Sequence, residues 1–167
     1  KQVGKILINS NKSKKSFNHL EFYEIIEDCI KGNLGPLVGV LSGIKWVRKN
    51  LKNDWLVCFP VDSPFFPDNI VTRFLDESNG YEVLIAKCRT QIHPVFSIWK
   101  VNSKLESGLE NSLKNDERKI DMVIKKFKTK VVNFPYIGYD PFFNINTPDD
   151  LKKAEKLVNE EKIEEKK

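Results

Sequence analysis

Cysteine and histidine are scarce in this sequence, with three of the first and two of the second among 167 residues. Cys29, Cys58 and Cys88 are odd in number and widely spaced, and no C-x-x-C motif occurs. This pattern excludes a disulfide scaffold and predicts buried free thiols in a reducing cytoplasm. His19 and His93 lie far apart in the chain, so a metal centre built on histidines is not expected.

Long apolar runs are also absent. The longest, Pro36–Ile44 and Trp55–Val61, are much shorter than the roughly 20 residues that cross a bilayer. No segment with a basic start and an apolar middle opens the sequence, so no secretion leader is expected. The 40% hydrophobic content nevertheless suffices for one domain with a buried core, which excludes collagen-like and disordered classes. We therefore expect a cytoplasmic protein without a membrane partner.

Motifs for covalent hydrolysis are missing as well, since no G-x-S-x-G element occurs and no serine or cysteine has a persuasive base partner in sequence. The formal net charge is +5, and much of the excess lies in two lysine clusters, within residues 12–15 and 125–130. These clusters lack the aromatic interleaving of a single-strand nucleic acid platform. They indicate solvated faces, so no nucleic acid partner is expected, while the mild positive balance favours a small substrate that carries phosphate.

The hydrophobic pattern alternates between strands and helices, which predicts an α/β architecture. Strands are predicted at Lys5–Ile8, Asp54–Pro60, Tyr81–Ala86, Pro94–Val101, Lys130–Phe134 and Phe142–Ile145. Helices are predicted at Pro36–Asn50, Pro67–Glu77, Leu105–Leu113, Lys119–Phe127 and from Thr147 through Val158. The segment Tyr23–Glu27 fits a strand or a helix. Residues Trp55–Phe59 show no polar alternation, as expected of a central strand covered on both faces.

Asp62 is the most informative polar residue because it follows this apolar strand directly. In open α/β sheets ligands bind outside the carboxyl ends of the strands, and a carboxylate there is a typical Mg²⁺ ligand beside substrate phosphates. Pro60, Pro64 and Pro67 favour a rigid turn that fixes the direction of the carboxylate. The alternative is that Asp62 only forms an Asx turn.

Three other segments carry weaker signals. Residues 32–39 form a glycine-containing turn into a helix, either an anion site or a plain junction, and match neither the P-loop nor G-x-G-x-x-G. The segment Asn9–Asn11 and Asp28 could hold a base or a ribose, or could simply form turns. His93 is either structural or faces a substrate.

Several motifs, taken in order, resemble the molybdenum cofactor guanylyltransferase family, and the similarity extends to about Asn159. The most specific are G-P-L-V-G from Gly35, D-S-P-F-F-P from Asp62, and N-I-N-T-P-D-D-L from Asn144. Shorter matches are I-N-S-N from Ile8, I-E-D from Ile26, and His93-Pro94.

The resemblance implies a three-layer Rossmann-like nucleotidyltransferase fold, similar to the GT-A fold, with a mostly parallel central sheet. It implies a nucleotidyltransferase domain at residues 1–159 and a charged, frayed tail at residues 160–167. The implied activity is Mg²⁺-dependent transfer of GMP from GTP to molybdopterin with release of pyrophosphate. Transient contact with cofactor-biosynthesis or acceptor proteins is a further expectation.

Site residues follow from the same resemblance. Asp62 corresponds to the catalytic metal ligand of the family. GTP-binding positions correspond to Asn9, Asp28 and Asp62. The pterin side of the cleft corresponds to Arg118, Lys119, Asn144 and Asn146, with one position of the Arg118-Lys119 pair matching the family's arginine.

One departure concerns the start of the sequence. The family opens with a strand and a glycine-rich L-A-G-G-x-S-x-R-M-G loop, and the sequence from Lys1 contains neither. We therefore expect an N-terminally truncated form in which the first βα unit is missing, with activity impaired when the chain is alone. The alternatives are a related cytidylyl- or sugar-nucleotidyltransferase and a non-catalytic truncated remnant of the family.

Overall fold

The computed structural model describes residues 2–12, 17, 22–32, 34–52 and 54–164. The strands are β1 (Leu7–Asn9), β2 (Glu24–Ile26), β3 (Trp55–Cys58), β4 (Val83–Cys88), β5 (Gln91–Lys100) and β6 (Thr129–Phe134). The helices are α1 (Pro36–Asn50), α2 (Ile70–Asp76), α3 (Ser103–Lys114), α4 (Ile120–Val123) and α5 (Pro148–Glu164). A 3₁₀ turn at Ile124–Lys126 follows α4.

Helix α1 has the bounds that the sequence predicts, and its start shows why. Gly35 precedes it with φ 74° and ψ −169°, a conformation that is open essentially only to glycine. Pro36 then supplies a preset helical φ at a position whose N–H has no partner in the helix. The apolar positions Leu37, Leu41 and Ile44 are fully buried, as their spacing predicts.

The main sheet is mixed, so the expectation of a mostly parallel sheet is wrong. Its strand order is β3-β5-β4-β6, in which β5 pairs antiparallel with both β3 and β4 while β4 and β6 are parallel. The cause is the connection between β4 and β5, which consists only of Arg89 and Thr90. Two residues can close a hairpin, whereas a parallel crossover needs a dozen or more. Arg89 adopts a positive φ of 51° in this turn.

Strands β1 and β2 form a separate parallel pair in register Leu7 to Glu24. The ambiguous segment is therefore a strand at Glu24–Ile26. Helix α1 packs on both sheets through two glycines that lie one turn apart. A Cβ on Gly39 would lie 2.5 Å from Asn9 Oδ1 in β1, and a Cβ on Gly43 would lie 2.8 Å from Leu56 Cδ2 in β3. The absence of side chains at these positions lets α1 approach both sheets.

Alternate residues of the main sheet face two apolar clusters. On one face Val83, Ile85 and Trp99 pack with residues of α1, α3 and α4. On the other face Leu84, Ile98 and other strand residues pack with Ile70, Val71 and Phe74 of α2. The arrangement is the expected three-layer α/β fold with a mixed sheet.

Other expectations need correction. Phe142–Ile145 is not a strand but part of the connection between β6 and α5, and the helix expected at Lys119–Phe127 is limited to α4 and the 3₁₀ turn. Helix α5 continues to Glu164, beyond the expected start of the tail at residue 160. Cys29 is exposed rather than buried, although all three cysteines are free. Within the described ranges, no helix is both long and apolar enough to cross a membrane.

Candidate active site

Asp62 lies in the turn that follows β3, where the sequence places it. The apolar strand ends at Cys58, and Pro60 leads into the turn at Val61 and Asp62. The Asp62 side chain is half-buried, whereas Val61 is fully exposed. Among the described strands β3 lies at the edge of the main sheet, so the expectation of a central strand is wrong. The turn still presents a carboxylate at the carboxyl end of the strand, the position where α/β sheets bind ligands.

Contacts from the connection between β6 and α5 fix the orientation of Asp62. Asn144 Nδ2 donates a hydrogen bond to Asp62 Oδ1 at 3.1 Å, and Ser63 Oγ donates a longer one to the same oxygen at 3.4 Å. The Ile145 N–H donates to the backbone carbonyl of Asp62 at 2.8 Å. Asp62 Oδ2 makes no hydrogen bond or ion pair with any residue that the structure describes. One carboxylate oxygen is therefore held and the other is available to a ligand.

Asn9, Asn11 and Asp28 form a second polar cluster, at the carboxyl ends of β1 and β2. Asn9 Nδ2 donates to Asp28 Oδ1 at 3.1 Å, and Asn11 Nδ2 donates to Asp28 Oδ2 at 2.7 Å. The backbone N–H of Asp28 donates to Asn11 Oδ1 at 2.9 Å. The structure thus brings the expected residues Asn9 and Asp28 together, and it adds Asn11 as a partner.

Helix α1 holds this cluster in place. Ser42 Oγ accepts a hydrogen bond from the Cys29 N–H at 2.8 Å and donates one to the Val38 carbonyl at 2.7 Å. Gly39 lies directly against the Asn9 side chain. The backbone N–H of Cys29, which directly follows Asp28, and the side-chain amide of Asn9 are thereby fixed relative to α1.

A cleft of about 760 Å³ lies between β1 and β3, beside both parts of the site. Its walls include β1 on one side and the segment from Trp55 to Val61 on the other, and α1 contributes Pro36, Gly39 and Gly43. Asn9 lines the cleft, and the opposite wall ends at the residue before Asp62. A ligand in this cleft would extend between the Asn9 cluster and the turn that carries Asp62.

The other residues expected on the pterin side of the cleft, Arg118, Lys119 and Asn146, are exposed on the surface. Arg118 pairs with Asp116 at 2.6 Å on the surface, and its carbonyl oxygen lies 4.0 Å from the position of a Cβ on Gly35. Lys119 is exposed at the start of α4. The Asn146 side chain is exposed before α5, where Asp150 accepts a hydrogen bond from the Thr147 N–H. The backbone of Arg118 thus lies beside the Gly35-Pro36 turn.

The donor set near Asp62 suits Mg²⁺ better than a metal that requires a full protein cage. No cluster of three or more His, Cys, Asp or Glu residues that could hold a metal occurs in the described part of the chain. Mg²⁺ is usually bound by one or two carboxylates together with substrate phosphates and water. The open Oδ2 of Asp62 fits this mode of binding.

Cys58 lines the cleft, but it is a poor nucleophile. Burial raises the pKa of the Cys58 thiol to about 12. The thiol therefore stays protonated near neutral pH, and the thiolate is the reactive form. This agrees with the absence of a nucleophile motif in the sequence.

Asp140 is a site residue that sequence reasoning missed, and the structure also gives His93 a definite partner. His93 Nε2 lies 3.1 Å from Asp140 Oδ2, and the His93 side chain is only 9% exposed. The segment His93-Pro94 is among the family-like motifs, but no local pattern marked Asp140 as its partner, since 47 positions separate them. His93 is thus a buried, satisfied residue beside the connection that carries Asn144.

Comparison with known proteins identifies the family of the chain. A family model described as "MobA-like NTP transferase domain" matches residues 1–129. The chain belongs to the MobA-like NTP transferase family. Within this family, the "Molybdenum cofactor guanylyltransferase" of Rhizobium meliloti (strain 1021) is 35% identical over 162 residues, covering 92% of this chain and 73% of that protein.

Two further comparisons define the extent of the similarity. The guanylyltransferase of Rhizobium rhizogenes (strain K84 / ATCC BAA-868) is 38% identical over 143 residues, which span 80% of this chain but 65% of that protein. The crystal structure of "Molybdopterin-guanine dinucleotide biosynthesis protein A" from Archaeoglobus fulgidus has a TM-score of 0.68 at 25% identity, covering 92% of this chain and 78% of that one. The MobA-like chain therefore has a nucleotidyltransferase fold and spans about two thirds of some relatives.

Proposed function

We propose that the protein transfers GMP from GTP to molybdopterin and releases pyrophosphate, with Mg²⁺ bound at Asp62, in the cytoplasm. The observation that carries the proposal is the Asp62 carboxylate after β3, with one oxygen held by Asn144 and the other without a partner among the residues that the structure describes. Relatives that match at 35% and 38% identity are named molybdenum cofactor guanylyltransferases, which supports this choice of substrates.

The proposed reaction needs positioning more than a protein nucleophile. An oxygen of the terminal phosphate of molybdopterin forms a bond to the α-phosphorus of GTP, and the bond between that phosphorus and the α–β bridging oxygen breaks. The attacking phosphate is already an anion, so a strong general base is unnecessary. The protein contributes by holding both phosphates in line and by stabilising charge on the leaving pyrophosphate.

Each candidate site residue would have its own role in this reaction. Asp62 would hold Mg²⁺ through the oxygen that Asn144 leaves free, and the bound ion supplies positive charge against the triphosphate. Asn9, which lines the cleft, and its partner Asp28 would bind the guanosine part of GTP. Arg118, Lys119 and Asn146 would contact the pterin substrate.

Substitution of Asp62 by asparagine tests the proposal at its central residue. Asp62→Asn keeps the shape of the side chain and an oxygen that can accept from Asn144, but it removes the charge that would hold Mg²⁺. We expect pyrophosphate release from GTP and molybdopterin to fall by at least about 100-fold, because the charge stabilisation is lost. The measurement uses the gene product at its full length, with the folded state checked by thermal unfolding.

Asp68→Ala is the matched control, since Asp68 is an exposed carboxylate on the same connection between β3 and α2. Its turnover should stay close to wild type. Unchanged turnover in Asp62→Asn would refute the role of Asp62. Competition between GTP and CTP in the same assay separates guanylyl transfer from cytidylyl transfer, and binding without turnover would indicate the non-catalytic alternative.

A further inference from the structure

The connection between β6 and α5, residues 135–147, is attached to the main sheet at two points that lie close together in sequence. At one point Asp140 contacts His93 of β5. At the other, Asn144 and Ile145 bond to the side chain and the backbone of Asp62. The second attachment is the one that orients the candidate metal ligand.

The first attachment is built from buried groups. The His93 ring packs 4.9 Å from the ring of Phe142, which is fully buried among Phe96 and Phe134. Asp140 binds His93 through Oδ2 and accepts the Phe142 N–H through Oδ1 at 2.9 Å. A single carboxylate therefore ties the start of segment 140–145 to β5 and shapes its first turn.

The register of the sheet explains why this attachment reaches the site. Cys58 of β3 is opposite Ser97 of β5, so β5 residues before Ser97 run alongside the segment that leads from β3 to Asp62. His93 lies at that end of β5, opposite Ala86 of β4. The two attachment points thus lie at the same edge of the sheet.

We propose that His93 and Asp140 are positioning residues, which hold segment 140–145 so that Asn144 keeps Asp62 oriented with one oxygen free. The catalytic part of this inference rests on the proposed function. Neither residue touches the reacting atoms, so both act through Asn144. Burial lowers the pKa of His93, which keeps the imidazole neutral near neutral pH and suits a single donated hydrogen bond from Nε2 to the carboxylate.

Amide hydrogen exchange of Ile145 tests the inference without any substrate, because this N–H donates to Asp62 only when the segment is in place. In Asp140→Ala we expect Ile145 to exchange at least about tenfold faster, after correction for any change at the core amide of Ile85. His93→Gln should produce a smaller acceleration. Asp140→Asn retains an acceptor for the Phe142 N–H but places a donor against His93 Nε2, so its acceleration should be smaller than that of Asp140→Ala.

Asp149→Ala is the matched control, since it removes an exposed carboxylate farther along the chain and should not change Ile145 exchange. If Ile145 exchange in Asp140→Ala and His93→Gln changes no more than that of Ile85, the inference is wrong. If Asp140→Ala does not fold, the His93→Gln comparison decides the matter on the same criterion.

A kinetic measurement then separates this inference from the proposed function. Asp140→Ala should lower kcat for guanylyl transfer about tenfold or more, with KM for GTP within about twofold, because the Asn9 and Asp28 cluster is untouched. If the wild-type protein shows no guanylyl transfer while Ile145 exchange responds as expected, the proposed function fails and only the structural attachment stands. An unchanged kcat in Asp140→Ala, with Asp62→Asn inactive, overturns the positioning role alone.

Discussion

Asp28 and Asp62 are aspartates at strand ends that the structure uses in different ways. Both carboxylate oxygens of Asp28 accept hydrogen bonds from Asn9 and Asn11. Only one oxygen of Asp62 is engaged within the described residues. The Asp28 carboxylate is therefore held by its neighbours through both oxygens, whereas Asp62 has one oxygen without a partner among the described residues.

Because His93 is buried, we expect the free energy of unfolding to decrease as the pH falls below neutrality. Burial lowers the pKa of His93 in the folded state against the opposing effect of Asp140. The unfolded chain then takes up this proton at a higher pH than the folded chain, so stability is full above about pH 6.5 and falls as the pH drops through the folded pKa. We expect the urea midpoint to fall between about pH 7.5 and pH 5.5, and to fall less in His93→Gln.

Both urea midpoints are measured at each pH, and the difference between wild type and variant removes the contribution of all other titrating groups. An equal loss of stability in the two proteins would contradict the prediction. The carboxylates are nearly all ionised across this range, so they contribute little to the comparison.

Part of the site could be predicted from sequence because strand ends can be recognised locally. Asp62 follows an unbroken apolar strand, and Asn9 follows the first apolar run, so their positions required no knowledge of distant contacts. The contacts of Asn144 with Asp62 and of Asp140 with His93 could not be predicted in this way. Asn144 lies 82 positions from Asp62, and the hydrogen bond between them depends on the path of a connection without regular structure.

At the level of elements, α1 links the candidate nucleotide site to the main sheet. Its two glycines face different partners, Asn9 in β1 and Leu56 in β3. The same alanine substitution can therefore be made at two positions one helical turn apart. Both variants change the helix in the same way, but only the substitution at Gly39 places a methyl group against Asn9.

We expect Gly39→Ala to weaken GTP binding at least about tenfold, because the added Cβ displaces the Asn9 amide that bonds to Asp28. Gly43→Ala is the control, since its Cβ meets Leu56 instead. Both substitutions gain up to about 1 kcal/mol of helix propensity, so that contribution cancels between them. Titration calorimetry measures the affinities, and equal GTP affinities in the two variants would argue against a role for Asn9.

The same elements show the limits of local patterns. The apolar stripe and Pro36 predicted α1 with its observed bounds. The reversal of β5 could not be predicted, because the two-residue turn Arg89-Thr90 contains none of the glycine or asparagine residues that usually mark a hairpin. The run Phe142–Ile145 has the composition of a strand, yet Phe142 is buried as a plug against Phe96 and Phe134.

At the level of the whole molecule, the two sheets differ in how they are stabilised. The main sheet has apolar clusters on both faces. The pair β1-β2 contains three residues in each strand and relies on α1 for its packing. Two-stranded sheets are marginal on their own.

We therefore expect amides of Ile8 to Ser10 and of Ile26 to exchange at a lower free energy of opening than those of β4, by about 2 kcal/mol or more. Exchange measured in increasing denaturant checks this. Addition of GTP should raise protection of the β1-β2 amides if the ligand binds there. Exchange of both sheets in a single cooperative step would contradict the prediction.

The cleft between β1 and β3 has a consequence for the behaviour of the protein in concentrated solution. Among the described strands β1 pairs only with β2 and β3 only with β5, so each has an edge without a partner. Backbone groups on such edges recruit strands from other molecules and seed aggregation. In a preparation of these 167 residues alone, loss of monomer on concentration, accompanied by growth of β-rich particles, would therefore start at this opening.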